Sequence, residues 1–341
     1  MLDVPPARRD AILRAADALR PLRTVALSTH INADGDAAGS VTAMALLVAQ
    51  LGIAARVVLP TPWPAPFAFL RSTAIDDRTA QGAAAFRGID GLVVLDLSDI
   101  RRLGALADAA RAVTGPRIVI DHHEPGTEPP GDLLVDDTSA CATGELLFDV
   151  AAVLGLTITP AIAEALYVAI LTDTGGFRFA NTSPRALRIA AALLERGVDP
   201  EVMYRRIYGS VPLGRVQLLR DALASLGHDA EHGISWISLE AGALERHEVT
   251  GEDLDGIVEH PRSIAGTRLA LFFRDLGYGK VKVSFRSTGD VDVHRFAATF
   301  GGGGHAKASG ALIPGGLDAV RTRVLDDARA YVGPLPSAGG R

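Results

Sequence analysis

The sequence predicts an α/β protein in which a mostly parallel sheet is joined by a helical connector to a smaller, mixed α/β domain. Apolar runs of strand length alternate with helix-spaced segments over the first half of the chain, which is typical of parallel strands with crossover helices. After residue 230 the apolar residues recur with period two, which is typical of strands with one buried face. The chain is 341 residues long, and this length favours two domains over one.

Composition excludes several classes of protein. Hydrophobic residues make up 48% of the chain and the mean hydropathy is +0.21, so the chain can bury sizeable cores and is not intrinsically disordered. The net charge of −6 argues against a surface that binds long duplex nucleic acid and favours a small ligand or a short strand. The single cysteine, Cys141, excludes a disulfide framework, and no signal sequence or long apolar run is evident. We therefore expect a cytoplasmic protein with no membrane partner.

The first elements alternate between helix and strand. A helix-spaced segment over about residues 6–20 stops at Pro21, and residues 25–27 predict a short buried strand. A helix is predicted from about residue 40, and residues 54–59 predict a second strand. The Pro-rich loop that follows contains Trp63, which either serves as a plain connector or stacks on a base.

Three further apolar segments, over residues 91–95, 117–120 and 165–171, are each followed by charged residues. The first two predict strands, whereas the third is compatible with a helix or a strand. The residues that follow the three segments are Asp96; Asp121, His122 and His123; and Asp173. Because the carboxyl ends of parallel strands lie at one edge of a sheet, these residues can converge despite their separation in sequence.

The first predicted strand leads into a turn that contains one imidazole and two carboxylates, those of His30, Asp34 and Asp36. Two carboxylates held near one imidazole repel each other unless a cation lies between them, so this turn is a candidate metal site. The alternative is that Asp34 only caps the next helix and the other two are ordinary loop residues. Four separate element ends that each supply Asp or His favour the metal site.

A helical connector is predicted between the two domains. Pro184 and Pro200 each begin a helix, and a further helix is predicted over about residues 213–226. Strands of the smaller domain are predicted over residues 234–239, 268–273 and 280–286. The predicted boundaries are residues 1–185 for the first domain, 186–229 for the connector and 230–335 for the second domain.

The predicted second domain carries a candidate anion site. It contains all the lysines of the chain, Lys280, Lys282 and Lys307. Nearby in sequence lie Arg286 and a glycine run over residues 301–304. Glycine lets the backbone approach a phosphate closely and its N–H groups can bind an anion, although four glycines can equally form a flexible turn. Arg286 can bind a phosphate through two parallel hydrogen bonds.

Five motifs, in this order, resemble the DHH family of phosphoesterases with its DHH-associated C-terminal domain. They are residues 30–36 (HINADGD), Asp96, residues 121–123 (DHH), residues 172–177 (TDTGGF) and residues 301–310 (GGGGHAKASG). In its compact two-domain size, the chain is most similar to members of the nanoRNase group. This group comprises oligoribonucleases that also act as 3′-phosphoadenosine-5′-phosphate phosphatases. The glycine motif departs from the family pattern at Ser309, where alanine is expected.

The resemblance implies a role for each motif around two metal ions. His30 and Asp34 would hold one ion; Asp36, His122 and Asp173 would hold the other; and Asp96 would bridge both. The residues implied in catalysis are Asp96, Asp121, which would lie behind the ligands, and His123, which would face the phosphate or only support its neighbour. The implied substrate-binding residues are His123, Arg286, Ser287, Gly302, Gly303, Gly304 and His305.

The mixture of imidazole and carboxylate ligands favours Mn²⁺, with Mg²⁺ or Co²⁺ as substitutes. Two such ions, about 3.5–4 Å apart, lower the pKa of a water molecule and neutralise charge on the phosphoryl oxygens. We expect hydrolysis, in a cleft between the domains, of short oligonucleotides to 5′-mononucleotides and of 3′-phosphoadenosine-5′-phosphate to AMP. The main alternative is hydrolysis of a cyclic dinucleotide such as c-di-AMP. Weaker alternatives are a single-strand exonuclease, an inorganic pyrophosphatase and a non-catalytic nucleotide-binding protein. The connector helices could also form a homodimer.

Overall fold

The parallel sheet predicted for the first half of the chain is present in the structure, a computed structural model that describes residues 2–71, 74–209, 211–254 and 256–335. Its strands are β1 (Thr24–Ser28), β2 (Ala54–Val57), β3 (Asp76–Asp77), β4 (Gly91–Leu95), β5 (Arg117–Asp121) and β6 (Leu133–Asp136). All neighbouring strands are parallel, in the order β3-β2-β1-β4-β5-β6. β4 is buried along its whole length, which explains its continuous apolar sequence.

Helices flank this sheet and connect its strands. They are α1 (Pro6–Leu19), α2 (Gly35–Gln50), α3 (Ala107–Arg111), α4 (Thr143–Leu154), α5 (Pro160–Asp173), α6 (Pro184–Leu194) and α7 (Pro200–Ile207), with 3₁₀ helices over Ala65–Leu70, Thr79–Phe86 and Ile100–Leu106. The apolar segment over residues 165–171 is helical and belongs to α5. α2 and α5 are in close contact because Gly39 has no side chain: a Cβ there would clash with the carbonyl oxygen of Ala165.

One helix start differs from the prediction. α2 begins at Gly35 rather than near residue 40. The side chain of Asp34 accepts a hydrogen bond from the amide of Ala37 at 3.1 Å and thereby caps the helix. The first helical turn therefore includes Asp36, which the sequence pattern had placed in a turn.

The second half of the chain contains the predicted mixed sheet. Its strands are β7 (Gly227–Asp229), β8 (Ile234–Leu239), β9 (Leu269–Asp275), β10 (Lys280–Ser287), β11 (Gly303–His305) and β12 (Ala308–Pro314). Their order is β11-β12-β10-β9-β8-β7, and only β8 and β9 are parallel among the neighbours in the described part. Helices here are α8 (Leu213–Ala224), α9 (Ala243–Arg246), α10 (Glu259–Arg262), α11 (Val293–Ala298) and α12 (Leu317–Val332), with a 3₁₀ helix over Gly251–Leu254.

The chain forms two compact units, Met1–Ser210 and Val211–Arg341. The boundary lies within the stretch predicted as a connector: α6 and α7 belong to the first unit and α8 to the second. The predicted limits at residues 185 and 230, and the cleft between domains, stay predictions. None of the helices in the described ranges is long and apolar enough to cross a bilayer.

Candidate functional site

The ends of three adjacent strands bring the predicted ligands together. His30 follows β1, Asp96 follows β4, and His122 and His123 follow β5; β1, β4 and β5 are neighbours in the sheet. Helices supply the remaining ligands: Asp34 and Asp36 lie at the start of α2, and Asp173 is the last residue of α5. The convergence predicted from the strand ends is therefore present, with two helix ends contributing to it.

The potential ligands form overlapping groups. One group is His30, Asp34 and Asp96, the next is Asp36, His122 and Asp173, and a third is Asp96, His122 and His123. Within each group the ligand atoms lie within 4.8 Å of one another. The first two groups are the two ligand sets implied by the sequence resemblance.

Asp96 lies between these two sets. Its Oδ2 is 3.4 Å from Nε2 of His30, and its Oδ1 is 3.5 Å from Nε2 of His122. The two oxygens of this carboxylate thus face different imidazoles, as a carboxylate that bridges two cations would. Asp96 also has a φ of 59°, a left-handed conformation that Asp tolerates better than most residues. Its amide donates to the carbonyl of Ile120 at 3.0 Å, which fixes this backbone to the end of β5.

His122 provides a test of whether a metal ion fits here. Its Nε2 is buried and has no hydrogen-bond partner among the described residues. It lies 3.5 Å from a carboxylate oxygen of Asp96, and 3.6 Å from one of Asp36 and one of Asp173. Ligand atoms roughly 2.0–2.2 Å from a shared ion lie roughly 3–3.6 Å apart, so these separations suit coordination better than hydrogen bonding. The residues present therefore fit a divalent cation.

The electrostatics of the site also point to a cation. Burial, together with the charge of Asp96, raises the pKa of the Asp36 carboxyl well above its usual range. Burial raises the pKa of Asp173 to about 6, although His122 opposes the shift. Burial would lower the pKa of His122, but Asp96 and Asp36 outweigh it and raise the pKa to about 10. The four carboxylates of these groups outnumber their three imidazoles, and divalent cations would neutralise the excess negative charge.

Asp121 and His123 form a pair beside the candidate metal ligands. Nδ1 of His123 lies 2.8 Å from Oδ1 of Asp121, which also accepts the amide hydrogen of His123 at 3.3 Å. Asp121 is buried, whereas 40% of the His123 side chain is exposed. Asp121 thus holds the ring in place and leaves Nε2 as the nitrogen available to a ligand. This geometry is compatible with either role considered for His123, contact with the phosphate or support of a neighbour.

Sequence reasoning missed the first turn of α4. The amide of Thr143 donates to Oδ2 of Asp36 at 2.7 Å, and the amide of Gly144 donates to Oδ1 of Asp36 at 3.0 Å. The hydroxyl of Thr143 donates to Oδ1 of Asp96 at 3.1 Å. Thr143 and Gly144 carry neither a carboxylate nor an imidazole, so a search for Asp and His at element ends could not identify them.

In the second unit, Arg286 lines a small cavity of about 120 Å³. Arg274, Lys282 and Ser284 line the same cavity. Nε of Arg274 is buried and has no hydrogen-bond partner within the described ranges, and burial lowers the pKa of this guanidinium. A carboxylate oxygen of Glu259 lies 3.6 Å from the guanidinium Nε of Arg286. We call this group of Arg274, Lys282, Ser284 and Arg286 the basic pocket.

The glycine run forms part of the sheet rather than a free loop. Residues 303–305 form β11, which pairs with β12. In this register Gly303 lies opposite Gly310 of β12, and Gly310 lies opposite Ser284 of β10 on its other side. A Cβ at Gly302 would clash with the carbonyl oxygen of Gly310, whereas Gly303 faces open space. His305 is exposed. Because residues in register share a face, Gly303 and Gly310 lie on the same face as the basic pocket.

Two polar residues near this run are engaged within the fold. Ser287 is buried and its hydroxyl donates to the carbonyl of Val291 at 2.7 Å, so its substrate-binding role stays a prediction. Ser309, the departure from the family motif, donates from its hydroxyl to the carbonyl of His305 at 2.8 Å and closes the β11–β12 turn. Lys307 donates to the carbonyls of Gly289 and Val291. Of the three lysines, only Lys282 lines the basic pocket.

Both halves of the chain match known domains. Residues 24–170 match the N-terminal domain of the DHH family, and residues 235–333 match the DHHA1 domain. The chain is 35% identical over 305 residues to the bifunctional oligoribonuclease and PAP phosphatase NrnA of Thermus thermophilus, covering 89% of this chain and 88% of the relative. It is 29% identical over 296 residues to the protein of the same name from Bacillus subtilis, covering 85% and 89%.

A solved structure has the same fold. It is the crystal structure of an exopolyphosphatase-related protein from Bacteroides fragilis, with a TM-score of 0.84 and 25% identity. The likeness covers 94% of this chain and 95% of that one. Together with the ligand geometry, these similarities show that the chain belongs to the DHH family of metal-dependent phosphoesterases and is of the NrnA type.

Proposed function

We propose that this chain hydrolyses short oligonucleotides to 5′-mononucleotides and 3′-phosphoadenosine-5′-phosphate to AMP, with Mn²⁺ as the preferred ion. The observation that carries the proposal is the position of Asp96, whose two oxygens face two different groups of potential ligands. The names of the NrnA relatives support the substrates, because they describe an oligoribonuclease and PAP phosphatase. A homodimer and a cytoplasmic location stay predictions.

The proposed metal ligands follow the two groups. His30 and Asp34 would hold one ion, Asp36, His122 and Asp173 the other, and Asp96 would contact both. Imidazole among carboxylates suits Mn²⁺ better than Mg²⁺, which prefers an all-oxygen, water-rich environment. Bound ions would supply Lewis-acid charge and a water molecule of lowered pKa for attack on phosphorus.

The protein's own groups would position the phosphate. Asp121 engages Nδ1 of His123, so Nε2 of His123 is proposed to contact a substrate oxygen. In the second unit, the basic pocket is proposed to bind a phosphate group. Its three cations, and the Nε of Arg274 that has no partner among the described residues, suit an anion with several acceptor oxygens. The open backbone at Gly303 leaves room for a nucleoside on the same face.

The test is product analysis over time with 5′-labelled oligonucleotides from dimers to about 20-mers, each with Mn²⁺, Mg²⁺, Co²⁺ or a chelator. 3′-Phosphoadenosine-5′-phosphate, c-di-AMP and pyrophosphate are assayed in parallel. We expect metal-dependent release of mononucleotides, fastest from the shortest oligomers, and phosphate release from 3′-phosphoadenosine-5′-phosphate. Preference for c-di-AMP over its linear dinucleotide, efficient degradation of the longest strands, or turnover of pyrophosphate alone would contradict the proposed substrates.

A matched pair of variants tests the proposed role of Asp96. Asp96→Asn keeps the shape of the side chain and removes its charge, and should abolish turnover. Asp90→Asn makes the same change at a carboxylate that accepts hydrogen bonds from the backbone amides of residues 23 and 24, and should leave turnover unchanged. Retention of activity in the Asp96 variant would contradict its position between two ions.

A further inference from the structure

The first turn of α4 is an unassigned feature of the site that contacts two proposed metal ligands at once. Thr143 is completely buried, and donates from its amide to Asp36 at 2.7 Å and from its hydroxyl to Asp96 at 3.1 Å. Gly144 donates its amide to the other oxygen of Asp36 at 3.0 Å, where Ser40 also donates at 3.0 Å. These contacts link Asp36, a proposed ligand of one ion, to Asp96, the carboxylate proposed to contact both ions.

The hydroxyl of Thr143 constrains the rotation of the Asp96 carboxylate. It donates to Oδ1, the oxygen that faces His122, while Oδ2 faces His30. If this carboxylate rotated, both oxygens would leave their positions between the two groups of ligands. Hydrogen bonds to ligating carboxylates are known to orient them in this way in metal sites generally.

The turn that carries Thr143 is itself held firmly. The side chain of Glu145 accepts the amide hydrogen of Cys141 at 3.2 Å, and the same carboxylate is paired with Arg8 at 3.0 Å and with Arg185 at 3.3 Å. The amides at the start of α4 also lie at the positive end of a 12-residue helix, which favours nearby carboxylates. A fixed backbone at this point gives the Thr143 hydroxyl a defined position.

We propose that Thr143 is a positioning residue of the metal centre: its hydroxyl sets the orientation of Asp96, and thereby the affinity for the ions that Asp96 contacts. This inference rests on the metal centre in the proposed function but not on the identity of the substrate. The alternative is that the hydroxyl only satisfies a buried polar group and contributes to folding. The two roles differ in whether metal affinity changes independently of stability.

The test measures the Kd for Mn²⁺ by titration calorimetry on metal-free protein, together with the thermal unfolding midpoint in chelator. Thr143→Val keeps the shape of the side chain and removes the hydroxyl, and we expect metal binding to weaken about 10- to 100-fold. Thr143→Ser keeps the hydroxyl and should bind within threefold of the wild type. Thr42→Val is the matched control, because Thr42 is also buried but its hydroxyl has no partner among the described residues.

The outcomes separate the inference from the proposed function. A wild-type protein that binds Mn²⁺ and a Val variant that binds it equally well would overturn the role of Thr143 alone. A wild-type protein that binds no Mn²⁺ would overturn the metal centre and this inference with it. If the Val variant does not unfold cooperatively, Thr143→Ser and Thr143→Ala are compared, since they differ only in the hydroxyl. Equal affinities in that pair would overturn the inference, and at least tenfold weaker binding by the Ala variant would support it.

Discussion

Replacing Arg8 by Met is expected to destabilise the first unit strongly. The guanidinium of Arg8 is buried and contacts three carboxylates: Asp137 at 2.7 Å, Glu145 at 3.0 Å and Asp149 at 2.6 Å. Burial would lower the pKa of Arg8, but the hydrogen bonds to these carboxylates outweigh it and hold the group charged. Met fills similar space, so the substitution removes the charge and the hydrogen bonds and largely keeps the packing.

The magnitude follows from what remains after the substitution. Removal of one partner from a buried ion pair costs about 3–5 kcal/mol, because the other charge is left without compensation. Arg185 still contacts Asp149 and lies 3.3 Å from Glu145, so we expect the lower end, about 3 kcal/mol. For a unit of about 200 residues this corresponds to a decrease of roughly 6–12 °C in the unfolding midpoint.

The loss of stability caused by Arg8→Met should also depend on pH. Burial already raises the pKa of Asp149, and Arg8 partly opposes that shift, so removal of Arg8 should raise the pKa further. A carboxyl whose folded pKa lies above its unfolded pKa contributes stability at low pH and loses it as the pH rises through the folded pKa. The destabilisation by Arg8→Met should therefore be larger at pH 8 than at pH 5.

The assay uses the two tryptophans of the chain, one in each unit. In a Trp236→Phe background, the fluorescence of Trp63 reports unfolding of the first unit alone. Arg20→Met is the control, because Arg20 pairs with Asp17 on an exposed surface, where ion pairs contribute only about 0–1 kcal/mol. Equal small effects of the two substitutions, or a larger loss at pH 5 than at pH 8, would refute the reasoning.

Three further predictions concern the pocket, the acid stability and the metal. Lys282→Gln should raise KM for a phosphorylated dinucleotide about tenfold and change kcat less than twofold. Lys280→Gln, on the same strand, should change neither constant. Equal effects of the two substitutions on KM would indicate that net charge alone matters and would contradict a role for the pocket. A hydrogen bond from Arg329 lowers the pKa of Asp229 to about 2, so the stability from this carboxylate is present above about pH 4 and lost as the pH falls toward 2. Asp229→Asn should remove this pH dependence of unfolding, measured by Trp236 fluorescence, and an unchanged acid limb would contradict the assignment. Chelation of the metal should lower the unfolding midpoint reported by Trp63. Readdition of Mn²⁺ at 100 times its Kd should restore about 2.7 kcal/mol of the free energy of unfolding. A shift confined to the Trp236 signal would argue against a metal centre in the first unit.

The sequence predicted the candidate ligands because their position depends on local pattern and on one rule of topology. An apolar run that ends in Asp96 or in His122 defines a strand end, and parallel strands place such ends on one edge. The same reasoning could not distinguish a helix from a strand before Asp173. A fully buried helix shows no polar face, and α5 is buried on almost every side.

Contacts that depend on long-range packing could not be predicted in this way. Thr143 reaches Asp36 across 107 positions of sequence, and its residue type has no special preference for metal sites. The basic pocket combines residues of β9 and β10 on one face, but its composition depends on the strand register, which pairs Lys282 with Arg274. The predicted approach of the glycine run to a phosphate stays a prediction, and its pairing as the edge strand β11 was not evident from the sequence.

Each of the two charge clusters carries charge that a ligand would neutralise: the first is negative and the second is positive. Among the described residues of the first unit, four carboxylates lie close to three imidazoles, so that cluster gains stability from cations. Among those of the second unit, three basic side chains line one cavity and a guanidinium nitrogen lacks a partner, so that cluster gains stability from an anion. A phosphate ester bound together with divalent metal ions supplies both kinds of charge. Each cluster by itself suits the proposed substrates, because a short oligonucleotide or a nucleoside bisphosphate is an anion that binds divalent cations as well as basic side chains.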